Sequence, residues 1–438
     1  MPLPQGTLQR TAPDHPNPVP VAARTRATMM LSTLLLAAAP AVSAPAGDLL
    51  AIRARHLATG TGETLEHAVV LVEDGRIVTV GEDLPIERGI PVLDLEEEVW
   101  VLPGLVDAYS RYGLSGSGFS DLRPYIQAAD EVRLDDSSWA RGMRQYGVTT
   151  AAFYPAGRGI PGQSVVVATG PTPEGSRVLR RSAYLKALVG NDSTSKRYLR
   201  DGFKEADEWL DKEAKNREKY DKAKEKAEKE KDSDKKKAEL AKLGSYKPLP
   251  PNMKGQAFLD LRAGKIELLA SINKAADYLH FLDALGDEDV SWHLRTSLST
   301  ESDLFHVKEE IGEAGAMVII EPEITLHPST MRQRNLPAEL HRAGAKLVLI
   351  PRADNSTGMK EWFRDVGVMV SAGLDRDAAI QAMTHHPAAL LGVSDRVGTI
   401  EVGKDANFVM LTGDPFEAGT EVLAVMAGGS VVFGEDEL

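Results

Sequence analysis

The sequence predicts an α/β protein, with a parallel sheet of βα units in the middle of the chain and a small β-domain assembled from its two ends. Two patterns predict it. Apolar runs of strand length at 147–154, 165–168, 317–320 and 346–350 alternate with stretches of helical composition, as βα units require. Toward either end, β-branched runs pair across tight turn signals: 68–72 with 76–80 across Glu73-Asp74-Gly75, and 422–426 with 430–433 across Gly428-Gly429.

The first 28 residues carry Pro and Arg without apolar periodicity and precede Met29-Met30. Residues 31–41 are an apolar run, with Arg24 and Arg26 before it and the small residues Val42-Ser43-Ala44-Pro45-Ala46 behind it. A basic flank, a short apolar core and a small-residue tail make a secretory signal peptide, and the core is too short for a stable membrane span. Residues 1–46 are therefore expected to be an upstream extension plus signal peptide, its h-region at about 30–41, with translation starting at Met29 or Met30. The expected location is the bacterial periplasm, with no stable membrane insertion after signal cleavage.

Strands at 49–54, 68–72 and 76–80 follow, and the far end repeats their pattern, so 47–102 and 397–438 are expected to form one β-domain. Between them, the glycine-rich 155–163 reads as a loop; it fails as a phosphate cradle because no Gly-Lys-Ser/Thr closes it. An insertion at about 196–250 is dominated by Lys, Glu and Asp from 211 to 239. Opposite charges three and four apart support one long solvated helix there, ended by Gly244 and Pro248-Leu249-Pro250-Pro251. Pro387 ends one helix and restarts another, since Pro suits a first turn and breaks an interior.

Composition narrows the partners. With 438 residues, 42% of them apolar, the chain can bury one large core, or one large and one small. A formal charge of −13 argues against nucleic-acid binding, which needs a clustered basic surface. There is no cysteine, so any transition metal would need His, Asp or Glu. The ten histidines form no His-x-His and no His-Glu-x-x-His, and the adjacent His385-His386 cannot aim both rings the same way on a helix.

Two stretches carry a resemblance. Val101-Leu-Pro-Gly-Leu-Val-Asp-Ala-Tyr-Ser-Arg111 resembles the opening strand of the amidohydrolase superfamily, where Pro-Gly-Leu-(Ile/Val)-Asp-x-His-x-His supplies two metal-binding histidines. Pro103, Gly104, Leu105 and Asp107 keep that frame, while Tyr109 and Arg111 stand at the histidine places. Residues 398–407, Gly-Thr-Ile-Glu-Val-Gly-Lys-Asp-Ala-Asn, with Gly413-Asp414-Pro415 behind them, resemble the same family's closing motif. The resemblance, most of all to an exported bacterial subgroup similar to imidazolonepropionases that also tends to carry a charged insertion, implies a TIM-like (β/α)8 barrel over 103–396. It also implies a composite β-sandwich from 47–102 and 397–438, and hydrolysis of carbon–nitrogen bonds with a divalent metal.

Metal-assisted hydrolysis needs His or carboxylate ligands, an open position for water and a base, and barrel sites lie at the carboxyl ends of strands. By the resemblance, a later His-x-His falls on Ser271 and Asn273, and the last-strand aspartate on Pro351-Arg352, with Asp354 a few residues late as the remaining catalytic candidate. His293 follows on the next strand, but one histidine cannot make a site and it reads better as a half-buried strand residue. An arginine at 111 repels a divalent cation and offers it no lone pair. The expectation is a lost metal site with no cofactor, zinc or another divalent metal belonging to the alternative. Tyr109, Arg111, Ser271, Asn273 and Arg352 would then line a mouth suited to a small anionic ligand. Alternatively, Arg111 fills the vacated place by pairing with Asp354 or another acid. The chain is thus expected to be a non-catalytic or weakly active binding or partner subunit, a pseudoenzyme assembled with an active amidohydrolase paralogue or with itself. The alternative is an active hydrolase of a cyclic amide or peptide-like C–N bond with an atypical site.

Overall fold

A computed structural model describes residues 48–438 except 136–137, 191, 251, 299–301, 328–329, 435 and 437–438. The expected leader and upstream extension, 1–46, lie outside the described residues. No helix among the described residues is long and apolar enough to cross a membrane.

The two ends of the chain meet in one sheet. Leu49–Ala58 pairs antiparallel with Thr64–Glu73, which pairs with Arg76–Glu82. The hairpin turns on Asp74 at φ 49° and Gly75 at φ 80°, two left-handed residues whose twist suits a two-residue β-turn. On its other edge Leu49–Ala58 takes Val92–Asp94 and then Trp100–Pro103 in parallel. Trp100–Pro103 pairs antiparallel with Phe408–Leu411, which continues to Val422–Ala427 and Ser430–Phe433. In hydrogen bonding this is a single eight-stranded sheet where two facing sheets were expected. Ile52, Val70, Ile77, Val101, Phe408 and Met426 make its apolar core. The two stretches that carry the resemblance touch here, because the Gly104 amide donates to the Asn407 carbonyl at 2.9 Å. A Cβ at Gly104 would lie 2.2 Å from Thr149 Oγ1, so the frame glycine is what lets this strand approach its neighbour.

Eight strands follow round the second sheet system: Leu105–Ser110, Val148–Phe153, 162–168, Tyr184–Leu188, Glu267–Ser271, Trp292–Arg295, Met317–Ile320 and Lys346–Leu349. Two features correct the regular (β/α)8 barrel. First, 162–168 runs antiparallel to both neighbours. Ser164 at its centre joins the two halves, its amide donating to Tyr184 O and its carbonyl accepting from the Ala183 amide. Second, among the described residues no ladder closes Lys346–Leu349 onto Leu105–Ser110. Helix His385–Leu390 covers that seam instead: Ala388 and Leu390 pack with Val106, Leu269, Ile319 and Val348, and His386 Nδ1 donates to the open-edge carbonyl of Leu347 at 2.9 Å. A side chain and a helix thus satisfy an edge that an eighth pairing would otherwise have to satisfy.

The charged insertion is two helices, Ser193–Glu228 and Ser233–Leu243, where one was expected. Glu230 accepts the amides of Lys231 and Asp232, and Asp232 caps the second helix by accepting from Asp234 and Lys235, so local side-chain acceptors turn the chain. Leu199, Phe203 and Ala206 on the first helix are buried, with Phe203 edge-on to Phe258 of helix Met253–Arg262. Most of the rest is an exposed arm laced by i,i+4 ion pairs such as Arg217–Asp221 and Lys222–Glu218.

Candidate functional site

Alternation along the barrel strands places the site. Leu185, Ala187, Leu268, Ala270, Val318 and Ile320 belong to the helix-facing core, whereas Tyr184, Leu269, Ile319 and Val348 form an inner cluster. Residues two further on therefore face inward at the strands' carboxyl ends. These are Lys186, Ser271 and Glu321, joined by Tyr154, two beyond the inner Ala152, and by Tyr109 and Arg295 from neighbouring strands.

Aromatic rings tie the layer together. Tyr109 and Tyr154 stack with centroids 3.8 Å apart. Lys186 Nζ lies 3.9 Å from the Tyr154 centroid and 5.3 Å from that of Tyr109, and the Arg295 guanidinium lies 5.0 Å from Tyr109. Burial raises the pKa of both tyrosine hydroxyls, so they stay protonated.

The charges fall into two closed ion pairs, a lysine and two neighbouring aspartates. Arg111 holds Glu131 bidentately, at 2.7 and 3.2 Å, and donates to the Tyr154 carbonyl at 2.8 Å and the Gly116 carbonyl at 3.1 Å. Both terminal nitrogens of its guanidinium are therefore engaged by protein. Arg295 holds Glu321 at 2.5 and 3.3 Å, and Glu321 also accepts from the Leu298 amide. Lys186 has no acid among the groups that shift its titration; burial, with Arg111 and Arg295 nearby, pushes its ammonium down to about 7. Asp107 is fully buried, with Oδ1 accepting the Tyr109 amide at 3.1 Å and Oδ2 without a hydrogen-bond partner. Burial and the adjacent Asp354 push its carboxyl up to about 7. Asp354 accepts from Ser110 Oγ at 2.7 Å and from the Arg111 amide at 2.8 Å, and burial raises it too.

The structure thus brings Tyr109, Arg111, Ser271 and Asp354 to the mouth, with Asn273 at its edge accepting the Ser297 amide at 3.3 Å. Arg111 is already engaged with Glu131, so it is not a free anion clamp. Arg352 is a correction: its side chain is 43% exposed and meets Glu323 at 3.3 Å and Asp365 at 4.0 Å, away from the layer. His293 lies at the opposite end of the strands, where its Nδ1 accepts the Met317 amide and its Nε2 is 3.9 Å from Glu267. Ser271 Oγ is buried without a hydrogen-bond partner, and Ser271 and Asn273 line a cleft of about 370 Å³ with Leu188, Tyr198 and Arg158.

These side chains do not fit the divalent metal that the resemblance implies. The strand ends present Tyr109, Lys186, Ser271 and Arg295 where ligands would stand. Among the described residues no three His, Asp or Glu side chains group as a metal site requires. Sequence reasoning had not singled out Lys186, Glu131, Arg295 or Glu321. Lys186 carried a signal, as the single charge in the apolar run 183–189, two residues past an inward Tyr184; Glu131, in a loop, carried none.

A model described as "Amidohydrolase family" matches residues 327–433. N-acetylglucosamine-6-phosphate deacetylase of Caenorhabditis elegans is 39% identical over 66 residues, 15% of either chain. The same-named protein of Danio rerio is 49% identical over 41 residues, 9% of this chain and 10% of its own. The aligned stretches thus span 15% or less of the length of these curated relatives. Among solved structures, an amidohydrolase from Thermotoga maritima superposes with a TM-score of 0.68 at 20% identity, over 88% of this chain and 99% of that one. A β-aspartyl dipeptidase from Fervidobacterium islandicum gives 0.50 at 12% identity, over 89% and 97%. The fold is thus shared along most of the chain with the Thermotoga maritima amidohydrolase, and the family match covers the C-terminal stretch 327–433.

Proposed function

We propose that this chain is an amidohydrolase-superfamily barrel that does not perform metal-dependent hydrolysis and acts instead as a metal-free binding or partner subunit, taking a small anionic molecule at its mouth. The observation that carries this reading is the Arg111–Glu131 pair, which puts a guanidinium, fixed by four hydrogen bonds, at the place where the family's opening strand carries a metal-binding histidine. The surplus cation of the layer is Lys186, and a cleft in the small-molecule size range opens at Ser271 and Asn273. Export to a periplasm, argued from residues 24–46, belongs to the same proposal.

A second reading, hydrolysis of a carbon–nitrogen bond, draws on the Asp107–Asp354 pair, because a carboxyl titrating at about 7 can exchange a proton at neutral pH. One assay separates the two. Purified protein is offered N-acetylated amino sugars, cyclic amides and β-aspartyl and Xaa-Pro dipeptides, with and without added zinc or manganese. The proposal predicts no metal-dependent turnover of any of them. Turnover that appears with metal and vanishes with chelator would overturn it.

A further inference from the structure

We infer that the barrel carries a second binding site, away from the mouth, that takes an organic ammonium with an apolar body. A cavity of about 620 Å³ opens where three segments meet. They are the turn at Gln145 and Tyr146, the junction 359–364 between helices Ser356–Lys360 and Trp362–Ser371, and the loop 417–421 before strand Val422–Ala427. Gln145 and Tyr146 stand just before strand Val148–Phe153, whereas the mouth lies beyond its other end, at Tyr154. Among the described residues no side chain of the mouth lines the cavity, so the site stands or falls apart from the metal-free reading. Its floor is apolar. Met359 and Phe363 are 2% and 7% exposed and belong to the barrel's main core, and the half-buried Tyr146 and Val422 pack against that core. The cavity is thus an opening onto the core, within the size range of small-molecule sites. A ligand that covers this floor removes thioether, methyl and ring surface from water.

The rim sets the sign of the ligand's charge. The Arg364 guanidinium is closed on two acids, Glu361 at 2.9 Å and Asp365 at 3.0 Å. Glu417 and Glu421 are exposed, and neither carboxylate has a hydrogen bond or ion pair among the described residues. Lys360, the remaining cation of the lining, is exposed and unpaired in the same sense. The unpaired charges of the lining are therefore two carboxylates against one ammonium. A neutral hydrocarbon would leave both glutamates without a partner, and an anion would meet their field with Lys360 alone to hold it. An organic ammonium gains the two carboxylates at the rim, while Tyr146 and Phe363 give its body ring surface to pack on.

The test uses the full chain and two probes of similar size and opposite charge, phenethylammonium and hydrocinnamate, in isothermal titration calorimetry. The ammonium should saturate a single site with a Kd below about 10 mM, and bind at least about fivefold more tightly than the carboxylate, with the difference shrinking as salt rises. Glu417→Gln/Glu421→Gln should weaken the ammonium at least about fivefold, with circular dichroism and the urea midpoint unchanged, because both side chains are exposed and unpaired. If the double variant does not fold, the wild-type preference and its salt dependence decide. No saturation by about 10 mM, a smaller preference for the ammonium, or a smaller loss in the folded double variant overturns the inference.

Discussion

Replacing Arg111 with methionine removes the cation at the centre of the mouth while keeping much of its volume. The guanidinium makes four hydrogen bonds, at 2.7, 2.8, 3.1 and 3.2 Å, and once it is gone Glu131 keeps only the Gly116 amide at 3.0 Å. Breaking a fully buried pair costs about 3–5 kcal/mol, and an exposed one about 0–1 kcal/mol. The side chains here are 14% and 29% exposed, which places Arg111→Met at about 2–3 kcal/mol, since water can reach part of the orphaned carboxylate. Arg111→Lys should still lose about 1–2 kcal/mol, because an ammonium cannot span the two carboxylate oxygens and two carbonyls that the planar fork reaches. The double variant with Glu131→Leu should lose less than the sum of the single losses, by about 1–2 kcal/mol. Urea denaturation followed by circular dichroism reads these as midpoint shifts at constant slope. An Arg111→Met midpoint within about 0.5 kcal/mol of wild type, or strictly additive variants, would refute the pairing as a structural replacement for a metal.

Stability should depend on pH through two groups with opposite slopes. Asp107 is raised from 3.8 to about 7, so its share of stability is present below 3.8 and is lost as pH rises to about 7; Asp107→Asn should flatten that fall in a denaturant-midpoint series. Lys186 is lowered from 10.5 to about 7, so its share is present above 10.5 and is lost as pH falls to about 7; Lys186→Met should be more stable than wild type at pH 6 and converge with it by about pH 10.5. Gly202 sits where an added Cβ would lie 1.9 Å from the Phe258 ring, so Gly202→Ala should cost about 1–3 kcal/mol by overpacking, with part of the loss recovered in Gly202→Ala/Phe258→Leu.

The parts of this molecule that were legible in the sequence are those set by local chemistry. Asp74-Gly75 announces its turn because few residues accept two left-handed φ values in a row. Gly104 and the stretch 398–407 could be recognised because their backbone positions tolerate little variation, the one by its approach to Thr149 and the other by its turns at Gly398 and Gly403. Strand direction was not legible: 165–168 reads as a strand, but nothing in an apolar run says which way it points. The break at 229–232 was hidden because Lys, Glu and Asp continue through it, and only the Asp232 cap distinguishes it from helix interior. The mouth was half legible. Tyr109, Arg111 and Asp354 could be placed by resemblance, but the acid that neutralises Arg111 comes from a loop 20 residues away, and pairing across a loop leaves no periodic trace. Arg352 was misplaced because its position was counted from the strand end, while its charge is held by Glu323 and Asp365 outside the layer.

The central claim is that a fixed guanidinium stands where a catalytic metal would bind, and metal content measures it most directly. Protein purified without chelator, incubated with zinc, manganese and iron, and passed through a desalting column should retain well below one metal ion per chain by elemental mass spectrometry. Arg111→Met should retain no more than wild type, because Tyr109, Ser271 and Lys186 still supply no ligand set. One tightly held ion per wild-type chain would contradict the account.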